Sequence, residues 1–539
     1  MVFTLHRYIF RELFKVFVLA TIALTLMLSL GSLLQPIQEH GVGPRQAIHL
    51  IGYFIPITLT FVLPIAALFA AALIYGRFAS DNELDACRAS GISLSTMVYP
   101  GLCLAIIVAI TTLILSFHVV PAFVQRAEKM VKDNVKQILF RSIQRKGYYS
   151  MPGDKYRIYA DQVDNSNNTL KGVVIVKLDN NEISKTIATE AAKIKIDKKG
   201  KQNRIRITAL KSYQLDNMGQ AYSAKLSIEE TFRPLLPDDV KFQKMEDIQK
   251  IKADMTYFNP VREIAFECWA QLAVEMLDED ISRAIANPDE NANYYELENE
   301  DMKIAFTATG CKLSGERNLR VLPPIRLIEF DKMRNKIRLR WTSNEKATIK
   351  LEDPDPFSGF VVVLQNSAWE RLGGTKSLAP VSKRVFRNMQ LPKTIVDKLT
   401  GTSVMAQIDA IGFEESELKS KPSKYLNTLK KKLDDKIWLT RKDINSEIHS
   451  RLVFGLGCIT LILTAIALGI IFRGGHLLSA FGASAIPAGI LIIFLMSGKE
   501  LAKTQNRNMP NGTGILVMWS GLILLSVLTC WIYRKLTRT

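Results

Sequence analysis

Residues 47–75 read AIHLIGYFIPITLTFVLPIAALFAAALIY, an apolar run without a Lys, Arg, Asp or Glu. A hydrocarbon layer about 30 Å thick is crossed by roughly 20 apolar residues in a helix, so this segment is long enough to span a membrane. Similar runs flank it at 16–34 and 93–120, and others lie near the end of the chain at 452–472, 477–497 and 514–533. Between the two triplets stands a long stretch rich in Lys, Arg, Asp and Glu. Each crossing changes side, so an odd number of spans places all of 121–450 opposite the N-terminus.

Charge sets the orientation, because short loops rich in Lys and Arg stay cytoplasmic. The N-terminal segment carries His6, Arg7, Arg11 and Lys15, and the loop after the second span carries Arg77 and Arg88. Arg473 follows the fourth span, and the last span is followed by Arg534, Lys535 and Arg538. All of these share one side if both termini are cytoplasmic, which makes 121–450 an outer domain. The first run is too long for a removable signal and lacks a small-residue cleavage site, so it reads as a retained helix. Arg45, Lys499, Lys503 and Arg507 fall on the outer side, against the rule. With Arg451, they are candidate ligands for lipid phosphate; as interfacial cations they suit headgroup anchoring equally well.

The formal net charge of +18 is carried largely by the outer region. It suits either anionic headgroups or a well-solvated surface. No basic helix or stacking-aromatic module is legible, which argues against nucleic acid as a partner. The spans lack buried carboxylates of the kind an ion-coupled carrier needs. No GxxxxGK[ST] motif is present, and Gly373-Gly374-Thr375-Lys376-Ser377 is too short to cradle ATP phosphates. No catalytic constellation, metal-ligand spacing or cofactor motif appears; Asp353 and Asp355, beside Pro354 and Pro356, read as turn residues. Cys268 and Cys311 are the two cysteines that could pair in an oxidising compartment.

Within 121–450, the segment 121–144 reads as an outward continuation of the third helix. From 147 to 229, short alternating runs are separated by turns such as Pro152-Gly153 and Lys199-Gly200. Many short antiparallel strands suggest a sandwich or jelly roll. Residues 240–320 read as an insertion of helical and acidic character. Alternation returns over 320–365, expected to complete the sheet, and a Lys-rich segment of loops or short helices follows at 381–441. The predicted fold class is an α-helical membrane protein with six transmembrane helices (3+3) and a large mainly-β, jelly-roll-like periplasmic domain carrying an insertion. Its expected domains are 1–120, 121–450 and 451–539.

The loop at 76–95 is the most chemical-looking segment. Ser80-Asp81-Asn82-Glu83 has capping-box spacing and Gly91 can end a helix in the left-handed conformation. A helix of about ten residues is expected at 80–91, roughly 15 Å long. Asp81, Glu83, Asp85 and Arg88 give it a charged surface, and Leu84 and Cys87 an apolar one. It suits either docking to a cytoplasmic partner or a plain amphipathic loop. In the fifth span Gly482, Ser484, Ala485, Ala488 and Gly489 form a small-residue stripe, serving close packing or a gate.

Several of these residues resemble the LptF/LptG permease family. Leu63-Pro64, Tyr75-Gly76-Arg77, Asp81-Asn82-Glu83-Leu84, Arg88-Ala89-Ser90-Gly91-Ile92-Ser93 and Pro100 carry the resemblance around the loop. Arg157-Ile158-Tyr159, Ile187-Ala188-Thr189-Glu190-Ala191, Glu447, His449, Arg451 and Arg473-Gly474-Gly475 extend it. It covers about 1–230 and 445–539; the middle stretch matches nothing by motif. The resemblance implies a permease subunit of a lipopolysaccharide-exporting ATP-binding-cassette transporter in the inner membrane of a diderm bacterium, without an ATPase site of its own. A second LptF/LptG-type permease would pair with it, and a cytoplasmic ATPase dimer would dock on the short coupling helices. Glu83 would be the coupling carboxylate, with Asp81, Asp85 and Arg88 beside it. Lipopolysaccharide would enter between the first and fifth helices and leave along the strand domain to a single-span bridge subunit. A non-transporting transmitter of ATPase motion, and a membrane-tethered enzyme or sensor, are the alternative functions.

Overall fold

The computed structural model describes residues 2–40, 44–150, 156–164, 167–179, 182–199, 202–216, 219–231, 239–286, 294–299, 301–331, 336–351, 355–371, 380–401, 403–411, 418, 421–472, 477–503 and 512–538. These fall into two units, Met1–Ile248 with Lys442–Thr539, and Gln249–Arg441.

The first unit opens with helices α1 (Val2–His40), α2 (Pro44–Ser80), α3 (Glu83–Ala89), α4 (Leu94–Ile114) and α5 (Val120–Lys146). Among the described residues, six helices are long and apolar enough to cross a membrane, and they coincide with the six apolar runs. Pro121 has no amide hydrogen and its ring crowds the carbonyl four residues earlier. A π turn at Leu115–Val119 absorbs that conflict and lets α4 run on into α5. Gly147, at φ 77°, ends α5. The outward continuation of the third span is therefore present.

Small residues let the helices come close. Ala66, Ala67, Ala70, Ala71 and Ala72 of α2 are fully buried. A side chain at Gly469 of α10 (Lys424–Ile471) would meet the Ala72 carbonyl oxygen at 2.9 Å. Helices α11 (Leu477–Lys503) and α12 (Thr513–Arg538) cross where a Cβ on Gly514 would lie 2.4 Å from the Gly498 carbonyl oxygen. Where water offers no driving force between spans, such close backbone packing is what holds them together.

The strand run gives one six-stranded antiparallel sheet, β1 (Tyr148–Ser150), β2 (Tyr156–Asp164), β3 (Thr169–Asp179), β4 (Glu182–Lys199), β5 (Gln202–Asp216) and β6 (Gly219–Thr231), in chain order. The period-two pattern explains it. Tyr149, Ile158, Ile175 and Ile187 are cross-strand partners and all buried, whereas Tyr148, Tyr159, Tyr213 and Tyr222, on the alternate register, are exposed. This is the β-rich domain that the sequence leads one to expect.

The second unit has helices α6 (Met245–Ala253, whose last residues belong here), α7 (Asn259–Ala286), α8 (Lys393–Thr400) and α9 (Val404–Ala410). Its sheet contains β7 (Tyr295–Glu298), β8 (Met302–Thr307), β9 (Gly310–Leu313), β10 (Asn318–Leu322), β11 (Ile325–Asp331), β12 (Lys336–Ser343), β13 (Ala347–Leu351), β14 (Phe360–Glu370) and β15 (Val381–Met389). Two expectations change here. Among the described residues, strands within 320–365 do not complete the first sheet; they pair with strands of this second one. The Lys-rich segment supplies the expected short helices, α8 and α9, but also strand β15 and the start of the long helix α10.

Helix α7 forms much of the core of this unit, with Cys268, Trp269, Leu272, Ala273 and Leu277 buried. Two of its buried polar groups find partners. Trp269 Nε1 donates to Gln407 Oε1 at 2.7 Å, and Glu275 Oε2 accepts from the amide of Ser423, just ahead of α10. A carboxylate there faces the positive end of a helix dipole. Cys268 and Cys311 are both free thiols. Burial pushes the Cys268 thiol up to about 12.

Candidate functional site

The loop after the second span folds differently from the expected capping box. The Ser80 hydroxyl donates back to the Gly76 carbonyl at 2.9 Å, and Ser80 is the last residue of α2 rather than a cap for α3. A serine hydroxyl in a helix has both options, and the continuation of α2 decides between them. Asn82, at φ 59°, breaks the chain direction without a side-chain cap. Short polar residues tolerate that left-handed turn best. The helix is therefore seven residues long instead of about ten.

Its far end behaves as expected. The Gly91 amide donates to Arg88 O at 2.9 Å and the Ile92 amide to Cys87 O at 3.1 Å. With Gly91 at φ 81°, this is the Schellman arrangement, and Cys87 and Ile92 are half-buried against the same apolar cluster. Ser93 then caps α4 by accepting from the Thr96 amide.

Leu84 helps fasten the short helix, belonging to the buried apolar cluster that also includes Phe78, Ala79, Leu94 and Met97. Burying a leucine contributes about 1.5–3 kcal/mol. Tyr75 Oη donates to the Met97 carbonyl at 2.9 Å, and His6 Nε2 lies 2.9 Å from the Thr96 carbonyl, tying α1, α2 and α4 together beneath it. Asp81, Glu83, Asp85 and Arg88 are all exposed. Asp81 lies 4.0 Å from the Arg77 guanidinium. The helix thus buries Leu84 and presents a charged exposed face.

Among the described candidate phosphate ligands, two meet at one carboxylate. Arg451 and Lys499 converge on Glu447: Arg451 Nε donates to Oε1 at 3.0 Å and Lys499 Nζ to Oε2 at 2.9 Å. Arg451 Nη2 also donates to the Lys241 carbonyl at 2.7 Å, and its guanidinium stands 5.4 Å from the Phe117 ring centre. Beside them Trp519 Nε1 donates to His449 Nδ1 at 3.3 Å. Lys503 is exposed at the end of α11. The side chain of Arg45, and Arg507 altogether, lie outside the described residues. Reading Arg451 as a cation alone missed its partner, although Glu447 and Arg451 have the i, i+4 spacing that pairs charges on a helix. Lys499, far away in sequence, gives no such signal.

Burial separates the six spans. Only 17% of the apolar window of α1 and 28% of that of α11 is buried, against 61% for α2 and 56% for α10. In α11 the small-residue stripe faces open space at two points, since nothing lies within 4 Å of a Cβ built on Gly482 or Gly489. Among the described residues, no group of His, Cys, Asp and Glu could hold a metal ion.

The chain matches the model of the family described as lipopolysaccharide export system permease LptF/LptG over residues 7–535. That span takes in the middle stretch, where motifs alone showed no resemblance. No curated protein matches it. With six apolar helices, a β-rich domain and this match along nearly its whole length, the chain belongs to the LptF/LptG permease family.

Proposed function

We propose that this protein is one permease subunit of an ATP-driven exporter. It extracts lipopolysaccharide or a related glycolipid from the inner membrane and passes it to a periplasmic bridge subunit. The observation that carries this reading is the short helix α3, plugged into the membrane bundle by Leu84 while Glu83, Asp85 and Arg88 face outward. Such a helix transmits motion from a docked ATPase dimer, because force applied to its charged face passes through Leu84 to α2 and α4. Both termini lie in the cytoplasm on this reading, and the strand domains lie in the periplasm.

The poorly buried α1 and α11 support a lipid path between this chain and a second LptF/LptG-type permease. Both offer long apolar surfaces that a lone subunit leaves uncovered. The open backbone at Gly482 and Gly489 suits close approach of a neighbouring helix. Strand β6, thirteen residues long at an edge of its sheet, can add a strand from the bridge subunit. On this reading Lys499 and Lys503 meet lipid phosphate on the outer side, with Arg45 and Arg507 assigned from sequence only. Arg451 is a structural tie to Glu447.

Glu83→Ala tests the coupling role. Glu83 is exposed, so the variant keeps the stability of the parent to within about 0.5 kcal/mol. Its co-purification with the ATPase and its lipid release are expected to fall at least tenfold. Normal association together with normal export sinks the docking assignment. Lost motion of the outer domain without any lipid crosslinked to α1 or α11 favours the transmitter alternative.

A further inference from the structure

The second unit contains a cavity of about 470 Å³ in the surface of its sheet, lined by residues of β11, β12 and β14 and by Tyr294. Cross-strand register fixes which side chains share that face. Arg326 pairs with Thr342 and Thr342 with Ala368; one step along, Ile328 pairs with Arg340 and Arg340 with Glu370. By alternation, Leu327, Trp341 and Trp369 direct their side chains to the opposite face and contribute backbone here. Trp341 is accordingly buried, with its Nε1 bonded to Glu329.

Arg326 and Arg340 are diagonal neighbours on adjacent strands, roughly 7–8 Å apart at the backbone, so two guanidinium groups can close on one anion. Both are exposed, and neither makes a hydrogen bond or ion pair among the described residues. Elsewhere in this sheet the arrangement differs: Arg338 and Arg384 both approach the buried Glu329 carboxylate. Two unspent guanidinium forks in a concavity of ligand size are a phosphate-binding arrangement.

The rest of the lining narrows the ligand. Glu370, directly opposite Arg340, leaves the pocket with one net positive charge and repels a polyanion. Its carboxylate and the Thr342 hydroxyl are suited to sugar hydroxyls. Ile328 and Ala368 form an apolar floor, and Tyr294 a wall against which the C–H face of a pyranose can lie. We infer that this cavity is a binding site for a phosphorylated saccharide, carried by Arg326 and Arg340. The site does not depend on the export reading, and the same chemistry is offered by a free sugar phosphate or by the headgroup of a phosphorylated glycolipid.

Calorimetric titration of the full-length protein in detergent with glucosamine 1-phosphate tests it, with glucosamine and inorganic phosphate as controls. Binding of the sugar phosphate is expected to exceed that of either control at least tenfold, and R326Q/R340Q to weaken it at least tenfold. Both arginines are exposed, so the double variant is expected to melt with the parent. Glu370→Ala serves as a second variant: it is expected to raise affinity for inorganic phosphate while lowering the preference for the sugar. Absence of binding to the parent, or equal binding by R326Q/R340Q, overturns the site. Repeating the titration with lipopolysaccharide in nanodiscs separates the sources. Arginine-dependent binding of the soluble probe alone assigns a free sugar phosphate. Arginine-dependent binding of the lipid form, alone or with the soluble probe, assigns the headgroup.

Discussion

Glu447→Ala would strand a buried charge. The Arg451 side chain is 4% exposed and that of Glu447 14%, whereas Lys499 is 37% exposed. In the variant, Arg451 keeps its bond to the Lys241 carbonyl and its place by the Phe117 ring. Its charge, however, has no carboxylate, and Nη1 already lacks a hydrogen-bond partner. Removing one member of a buried pair costs about 3–5 kcal/mol, because the remaining ion is left desolvated. Removing the half-exposed Lys499 as Lys499→Met costs about 1 kcal/mol or less, since water screens that side of the carboxylate. Replacing both buried ions, in E447A/R451M, removes the stranded charge together with the pair. That double variant is therefore expected to be more stable than Glu447→Ala alone by about 2 kcal/mol or more. Unfolding by SDS in mixed micelles, followed by tryptophan fluorescence, measures all three; Trp519 beside His449 reports locally. A double variant no more stable than Glu447→Ala, or a Lys499→Met as damaging as Glu447→Ala, would refute the argument.

Two other sites give contrasting expectations. Gly514→Ala places a methyl 2.4 Å from the Gly498 carbonyl oxygen and forces α11 and α12 apart, at a cost of about 1–3 kcal/mol in the same unfolding assay. Gly489→Ala meets no atom within 4 Å and should leave the isolated chain as stable as the parent while weakening pull-down of the second permease; unchanged pairing would count against α11 as the contact helix. In the second unit, burial raises the Asp278 carboxyl above its ordinary value of 3.8, opposed by a hydrogen bond from Cys311, and Oδ1 has no partner. A raised value in the folded state means that the unfolded chain releases this proton first, so stability declines as pH rises from about 4. Asp278→Asn removes that decline, and its melting temperature should gain on the parent between about pH 4 and pH 7; a gap that narrows over this interval contradicts the assignment.

The membrane spans were legible because a long uncharged run has few alternatives: only a helix or a closed barrel satisfies its backbone in lipid. The strand character of 147–229 was legible for a related reason, since alternation with one wet face fixes both strand and side. Pairing is another matter. The alternation over 320–365 read correctly as strand, but nothing local in Ile325–Asp331 says that its neighbours are β8 and β12 rather than β6. That choice is made by α7, whose buried face gives the second sheet a core of its own.

The loop at 76–95 shows the same divide within a few residues. Ser-Asp-Asn-Glu spells a helix start, and Gly91 spells a helix end; only the end is realised as written. At Gly91 the decisive fact is local, a left-handed backbone that glycine adopts without strain. At Ser80 it is not local. Tyr75, Phe78 and Ala79 are all buried, so packing carries α2 one turn further and takes the serine hydroxyl into its own ladder. The consequence bears on function. Because α2 runs to Ser80 and α3 begins at Glu83, only Asp81 and Asn82 separate a membrane helix from the proposed docking helix. A longer capped loop would let α3 move independently of the bundle. With a two-residue connection and Leu84 in the same buried cluster as Phe78, displacement of α3 is expected to tilt or shift α2, the most buried of the spans.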